Sequence, residues 1–289
     1  MQLSCQLYGV SRQGFYQRRQ REVAVAARAE QVLDQVRAVR TKLPRLGARK
    51  LAYKMAPLLR VQGVACGRDA LLTLLRQRGL LVARKRSYTK TTDSRHRFHQ
   101  HPNLAKNAPK PTAPNQLWVS DITYLPTRQG TAYLSLVTDA FSRRIVGHHV
   151  HASLHTAGCL AALARAVRGA GQATTGVIHH SDRGSQYASD AYQAALNQAN
   201  MRCSMTDGYD CYQNALAERV NGILKDEFLF VLPDDLAQAR LLVDQAVHLY
   251  NQDRPHLALN YLTPNQVHSQ AKSPVGKSER GPCLIAVNI

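Results

Sequence analysis

The sequence predicts an α/β module preceded by a basic, all-helical region that contains a helix-turn-helix. Three observations predict it: the excess charge sits in one half of the chain, that half is patterned for helices alone, and the other half alternates strand and helix signals. The 289 residues carry a net charge of +19. Residues 1–110 hold 24 Lys and Arg against 5 Asp and Glu, while residues 111–289 hold 14 of each. Such a length supports two compact domains. The basic half implies a polyanionic partner, nucleic acid first among them.

The elements of the basic half follow from spacing. Leu3 to Tyr16, with Gly9-Val10-Ser11-Arg12, reads as a short helical DNA-binding element. From Glu22 to Lys42, Val25, Ala29, Val32, Leu33, Val36 and Val39 recur on one helical face. A second helix is expected from about Ala48 to Leu59, and a third from Arg68 to Arg78, where Leu71, Leu72, Leu74 and Leu75 precede a stop at Gly79. The turn Gly63-Val64-Ala65-Cys66-Gly67 suits a helix-turn-helix. Arg45, Arg49, Lys50, Arg68 and the run Arg84-Lys85-Arg86 are its candidate phosphate contacts. Pro102, Pro109, Pro111 and Pro114 mark an extended linker, which sets the domain boundary near residue 111.

In the neutral half, strands at about 117–125, 131–139 and 144–151 form an antiparallel meander. A helix at 156–169, a strand at 175–180, a helix at 189–199 and a short strand at 201–205 follow, then helices over 214–229 and 235–250. Residues 271–289 read as a loosely ordered tail.

Three acids stand out against this pattern. Asp121 is the lone acid on the strand face shared by Leu117, Val119, Thr123 and Leu125. Asp182 follows the apolar strand Gly176 to His180, at a sheet edge where functional side chains are commonly presented. After 35 intervening residues comes Glu218, on a helix whose apolar positions Leu216, Val220, Ile223 or Leu224, and Phe228 leave Glu218, Asn221, Gly222 and Lys225 on another face. Any one of these acids is more simply a cap or a solvated surface group. Together they are the layout of a metal-dependent phosphoryl-transfer site, because hard divalent cations take oxygen ligands, and two of them roughly 3.5–4 Å apart can serve both the attacking and the leaving oxygen. Lys225, two turns beyond Glu218, would address the same substrate.

Around these residues run Asn115-Gln116-Leu117-Trp118-Val119-Ser120-Asp121-Ile122-Thr123-Tyr124, Asp139-Ala140-Phe141-Ser142-Arg143-Arg144-Ile145-Val146-Gly147 and His180-Ser181-Asp182-Arg183-Gly184-Ser185-Gln186-Tyr187. Asn214-Ala215-Leu216-Ala217-Glu218, Leu224-Lys225-Asp226-Glu227 and Tyr250-Asn251-Gln252-Asp253-Arg254-Pro255-His256 complete the series. In this order, over most of the chain, they resemble the transposases encoded by the second reading frame of bacterial insertion sequences of the IS-three family, which share the retroviral-integrase type of DDE core. The resemblance implies an RNase H-like integrase core, a mixed five-stranded sheet with flanking helices, in which Asp121, Asp182 and Glu218 are the catalytic and metal-binding triad. It further implies two Mg²⁺ ions, with Mn²⁺ as a substitute, and double-stranded DNA as substrate, both the terminal inverted repeats and the target. One end would be cut and joined near the other to give a circle that is then integrated. A homo-oligomer is expected, as is a first-reading-frame protein, as partner or fusion. Against the pattern of many relatives, Gln213 stands in place of Asp and Arg219 where serine is common, yet the glutamate itself is kept.

Other classes stay open on sequence grounds. An RNase H-like nuclease without strand transfer would use the same acids, a catalytically silent DNA-binding regulator would keep the basic half, and a structural subunit could bridge ends without chemistry. The six cysteines form no C-x-x-C pair and read as reduced thiols, and His96, His99 and His101 lack the cysteines of a zinc module. No stretch reaches the ~20 apolar residues of a membrane span and no secretory signal is seen, so a cytoplasmic, nucleoid-associated location is expected.

Overall fold

The computed structural model describes residue 9 and residues 11–83, 101–106, 108–207 and 214–270. Arg84, Lys85 and Arg86, His96 and His99, Gln213 and the expected tail at 271–289 lie outside the described residues.

The basic region folds as three helices, α1 (Arg12–Lys42), α2 (Ala48–Val61) and α3 (Arg68–Gln77). Ser11 starts α1: its Oγ accepts the Gly14 N–H at 3.0 Å, and no breaker follows before Lys42. The expected start at Glu22 is therefore corrected, since the tail of the upstream element and the amphipathic helix are one 31-residue helix. Only its C-terminal part is packed. Val32, Leu33, Val36 and Val39 are buried, and most of them join Leu51, Met55, Leu59, Leu71 and Leu75 in one apolar cluster. Gly79, at φ +64°, ends the third helix as its sequence position predicts.

The remainder is built on a sheet of β1 (Leu117–Thr127), β2 (Gly130–Asp139), β3 (Ile145–His151), β4 (Ile178–Ser181) and β5 (Arg202–Met205). Its order is β3-β2-β1-β4-β5, with β1 to β3 antiparallel and β4 and β5 parallel to β1. Helices α4 (Thr156–Ala170), α5 (Ser185–Ala188) and α6 (Asp190–Gln198) cover one face, where Trp118, Val137, Leu163, Tyr192 and Leu196 cluster. Helices α7 (Ala215–Glu227) and α8 (Leu236–Gln252) cover the other, burying Leu125, Leu134, Leu136, Val220, Leu224, Val243 and Tyr250. A short α9 (Pro264–Gln270) follows. This mixed five-stranded sheet between helical layers is the RNase H-like integrase arrangement. Among the described residues no helix is long and apolar enough to cross a membrane.

Helix α4 lies on β3 at very close range. A Cβ on Gly147 would stand 2.2 Å from the Ala162 carbonyl oxygen, which is backbone and cannot swing aside. Gly147→Ala is therefore expected to lower stability by about 2–3 kcal/mol through overpacking, visible as a fall in the urea midpoint with unchanged slope. An unchanged midpoint would show that the two elements separate at little cost.

The helical region is seated on the side of α7 and α8. Phe228 packs into the helical cluster, Tyr53 stacks on Tyr261 at 4.4 Å, and Lys54 Nζ donates to the Asp253 carbonyl at 2.7 Å.

Candidate active site

Asp121 and Asp182 are brought together by sheet register. Val119 pairs with His180 in the parallel β1–β4 ladder, and each aspartate lies two residues past that pair, Asp121 within β1 and Asp182 just beyond the end of β4. The ladder is underpinned by His179, whose Nε2 lies 2.7 Å from Ser120 Oγ and 3.0 Å from Tyr192 Oη. Burial, then the neighbouring His180, pushes His179 down to about 3, so it stays neutral.

Two asparagines attach α7 to β1. Asn214, at the N-cap position, donates through Nδ2 to the Ser120 carbonyl at 3.0 Å, and two turns further on, Asn221 donates to Asp121 Oδ2 at 2.7 Å. Glu218 lies one turn before Asn221, so this contact turns it toward the aspartates. Asp121 Oδ1 also accepts the Ile122 N–H at 2.9 Å, and Asp182 Oδ1 accepts the Gly184 N–H at 3.0 Å. A Cβ on Gly184 would stand 3.1 Å from that same oxygen, which accounts for glycine there.

The electrostatics record the convergence. Burial, then the charge of Asp182, pushes the Asp121 carboxyl up to about 7, with Asn221 opposing the shift and Glu218 adding to it. Glu218 is raised as well, by burial and then by Asp182. Three carboxylates that penalise one another's ionisation form a negative edge that a dication would neutralise. The donor set is all oxygen, as a hard divalent cation requires, and the buried Asn221 Oδ1 has no hydrogen-bond partner beside it. The acids face one another without forming a closed cage: among the described residues, no group of three His, Cys, Asp or Glu side chains is drawn together tightly enough to hold a metal. A fourth acid, Asp139, is fully buried and engaged by the Asn115 and Ser142 N–H groups and the Ser142 hydroxyl, so it organises the turn after β2 instead.

The basic candidates separate into groups. Lys225 is half-buried on the α7 face that presents Glu218. Arg49 and Arg68 are exposed, Arg68 paired with Asp69 at 2.8 Å. Arg45 and Lys50 are instead turned toward protein: Arg45 donates to the Ala83 carbonyl at 3.1 Å and lies over the Phe230 ring, and Lys50 stands 3.8 Å from Glu227. Helix α2 is half-embedded against the core, and composition alone does not tell which of its basic residues face inward. Sequence reasoning also missed the tethering of Asp121 by Asn221; the only signal was that Asn221 shares the face of Glu218.

The Integrase core domain family model matches residues 111–211, and a second Integrase core domain model matches residues 199–264. The insertion element IS600 uncharacterized 31 kDa protein of Shigella sonnei is 33% identical over 265 residues, covering 90% of this chain and 95% of that protein. Transposase InsF for insertion sequence IS3fB of Escherichia coli (strain K12) is 31% identical over 277 residues, 92% of this chain and 93% of that one. Among solved structures, the HTLV-2 integrase catalytic core domain in complex with magnesium aligns with 54% of this chain and 98% of its own, at 19% identity and a TM-score of 0.44. Similarity to the insertion-sequence proteins over nearly their full length, with an integrase core at its centre, means that this chain belongs to the family of bacterial insertion-sequence transposases with a DDE integrase-like core.

Proposed function

We propose that Asp121, Asp182 and Glu218 are the residues with which this transposase cuts DNA at the ends of its insertion sequence and joins those ends to DNA. The observation that carries this assignment is the convergence of three carboxylates from β1, the end of β4 and α7, where, beyond burial, Asp182 raises the cost of ionising Asp121 and Glu218, and Glu218 that of Asp121. Two Mg²⁺ ions held there, or Mn²⁺ in their place, would lower the pKa of an attacking water and stabilise the leaving 3′-oxygen. Asn221 holds the Asp121 carboxylate in place from one side. Water is the nucleophile for end cleavage and the freed 3′-hydroxyl for joining, and no bond to the protein is formed in either step. Residues 1–110 supply duplex binding, through Arg49, Arg68 and the Arg84-Lys85-Arg86 run, and residues 111–270 supply the chemistry. The partners are the terminal repeats, target DNA, further copies of the chain and a first-reading-frame protein, in the cytoplasm at the nucleoid.

Labelled duplex ends incubated with the protein and Mg²⁺ test the assignment. Nicked and joined products support it; nicks without joining would favour a plain nuclease, and binding without either would favour a silent regulator. Two substitutions refine the site. Asn221→Ala is expected to slow joining about tenfold, because the freed Asp121 carboxylate loses its orientation, while duplex binding is unchanged. Wild-type joining would leave Asn221 a packing residue only. Lys225→Ala is expected to lower both joining and end affinity, with Lys225→Arg retaining more of each because the charge is kept. End affinity within the ~0.5 kcal/mol expected of an ordinary surface lysine would remove Lys225 from the site.

A further inference from the structure

Helix α7 is held at both ends. Its first turns are tied to β1 by Asn214 and Asn221. At its last residue Glu227 leaves from the opposite face, since nine residues separate it from Glu218, two and a half turns and about 13 Å along the axis.

Glu227 is held from two directions. Arg254, 2% exposed, donates through Nε to Oε2 at 2.8 Å and through Nη2 to Oε1 at 2.6 Å, and its Nη1 donates to His256 Nε2 at 3.1 Å. His256 can only accept there, because burial and then the Arg254 charge push it down to about 2. The third member comes from the helical region: Lys50 Nζ lies 3.8 Å from Glu227 Oε1, with its side chain 22% exposed. Arg254 alone already satisfies the carboxylate in a bidentate pair. Adding Lys50 makes two cations on one anion, at a cost recorded in the Lys50 ammonium, which burial and then Arg254 lower to about 8. A third charge at that cost is not what a purely structural pair requires. On α2, Lys50, Tyr53 and Lys54 share one face by their i, i+3, i+4 spacing, and all three have partners on the core side: Glu227, Tyr261 and Asp253.

We propose that Lys50, Arg254 and Glu227 are positioning residues: seating the helical region on Glu227 fixes the far end of α7, and so sets Glu218 and Lys225 at the metal site. The proposal rests on the triad assigned above. It makes Lys50 a link between the DNA-binding and catalytic parts of the chain, not a phosphate contact.

The test uses the full chain, with Mn²⁺ binding followed by loss of the free-ion electron-paramagnetic signal, and duplex-end binding measured in parallel. Lys50→Met is expected to weaken Mn²⁺ binding about fivefold and slow joining about tenfold, less for binding than loss of a direct neighbour of a metal ligand causes. Duplex affinity and its salt dependence stay within about twofold of wild type, because no phosphate contact is lost. Lys50→Arg should restore both metal binding and joining. Glu227→Gln, which keeps the shape of the side chain and one of the two oxygens that accept from Arg254 but removes the charge, should reproduce the Lys50→Met pattern and carries the test if that variant folds poorly. Unchanged Mn²⁺ binding in both variants overturns the proposal, as does a drop in duplex affinity with a flatter salt dependence in Lys50→Met. Glu218→Gln in the same titration separates the two levels: if it leaves Mn²⁺ binding unchanged, the triad fails and the link falls with it.

Discussion

Asp121→Asn, Asp182→Asn and Glu218→Gln are each expected to lower cleavage and joining by about 10³-fold or more, while duplex affinity stays within a few-fold. Each substitution keeps side-chain volume and removes an anionic oxygen ligand. Asp121→Asn carries a second expectation of opposite sign. In the metal-free protein the Asp121 carboxyl titrates at about 7, above its ordinary 3.8, so the folded state holds its proton more tightly than the unfolded chain does. Stability contributed by that proton is complete below about pH 4 and is lost as pH rises toward 7. Asparagine cannot ionise, so the variant should be more stable than wild type at pH 8 without metal, by roughly 1–3 kcal/mol, and indistinguishable at pH 4. Millimolar Mg²⁺ should close the gap by binding wild type preferentially. More than a tenth of wild-type joining in any of the three variants would sink the triad, and equal metal-free stability at pH 8 would show that burial and the neighbouring acids do not raise the Asp121 carboxyl as their placement implies.

Breaking the ion pair at the other end of α7 should act on the fold itself. Glu227→Ala leaves the Arg254 guanidinium buried without its anion, and is expected to destabilise the protein by about 3–5 kcal/mol. Arg254→Ala should do nearly as much, while the double variant should cost less than the sum of the two, since each single change already forfeits the shared interaction. Urea denaturation of the four proteins measures this cycle. Additive effects would mean that the two residues stabilise the fold independently.

The strands were legible because they alternate or run apolar between clear turns: β2 and β3 begin and end within one residue of expectation, and α4 and α8 within two. Asp121 was legible as an acid on an apolar face, and Glu218 as a polar position of an amphipathic helix. The start of α1 was not, because the apolar spacing that marks its face begins only at Val25, whereas the helix starts where the Ser11 side chain closes the first turn around Gly14. Partnerships between distant residues were the least legible. Nothing local to Glu227 announces Arg254, and the roles of Tyr250 and Asn251 come from bonds to backbone groups of Arg143 and Ile145, over a hundred residues away. Lys50 and Arg49 are neighbours of like charge, and only the orientation of α2 on the core decides which of them faces solvent.

The order in which the sheet is assembled sets a timetable for the ribosome. β1 and β2 have each other as pairing partners once both have emerged, but Asp121 meets Asp182 only when β4 has crossed over α4 to pair with β1, and Glu218 is synthesised later still. The anchor for that last helix, Arg254, is synthesised 36 residues after Glu218. At typical rates of about 5–20 residues per second, roughly 7–28 seconds separate the completion of the basic helices at Gln77 from the synthesis of Glu218, the last of the three acids. The basic helices are therefore complete well before the three acids can be held together, and a product truncated ahead of Arg254 would lack the residue that secures the far end of the Glu218 helix.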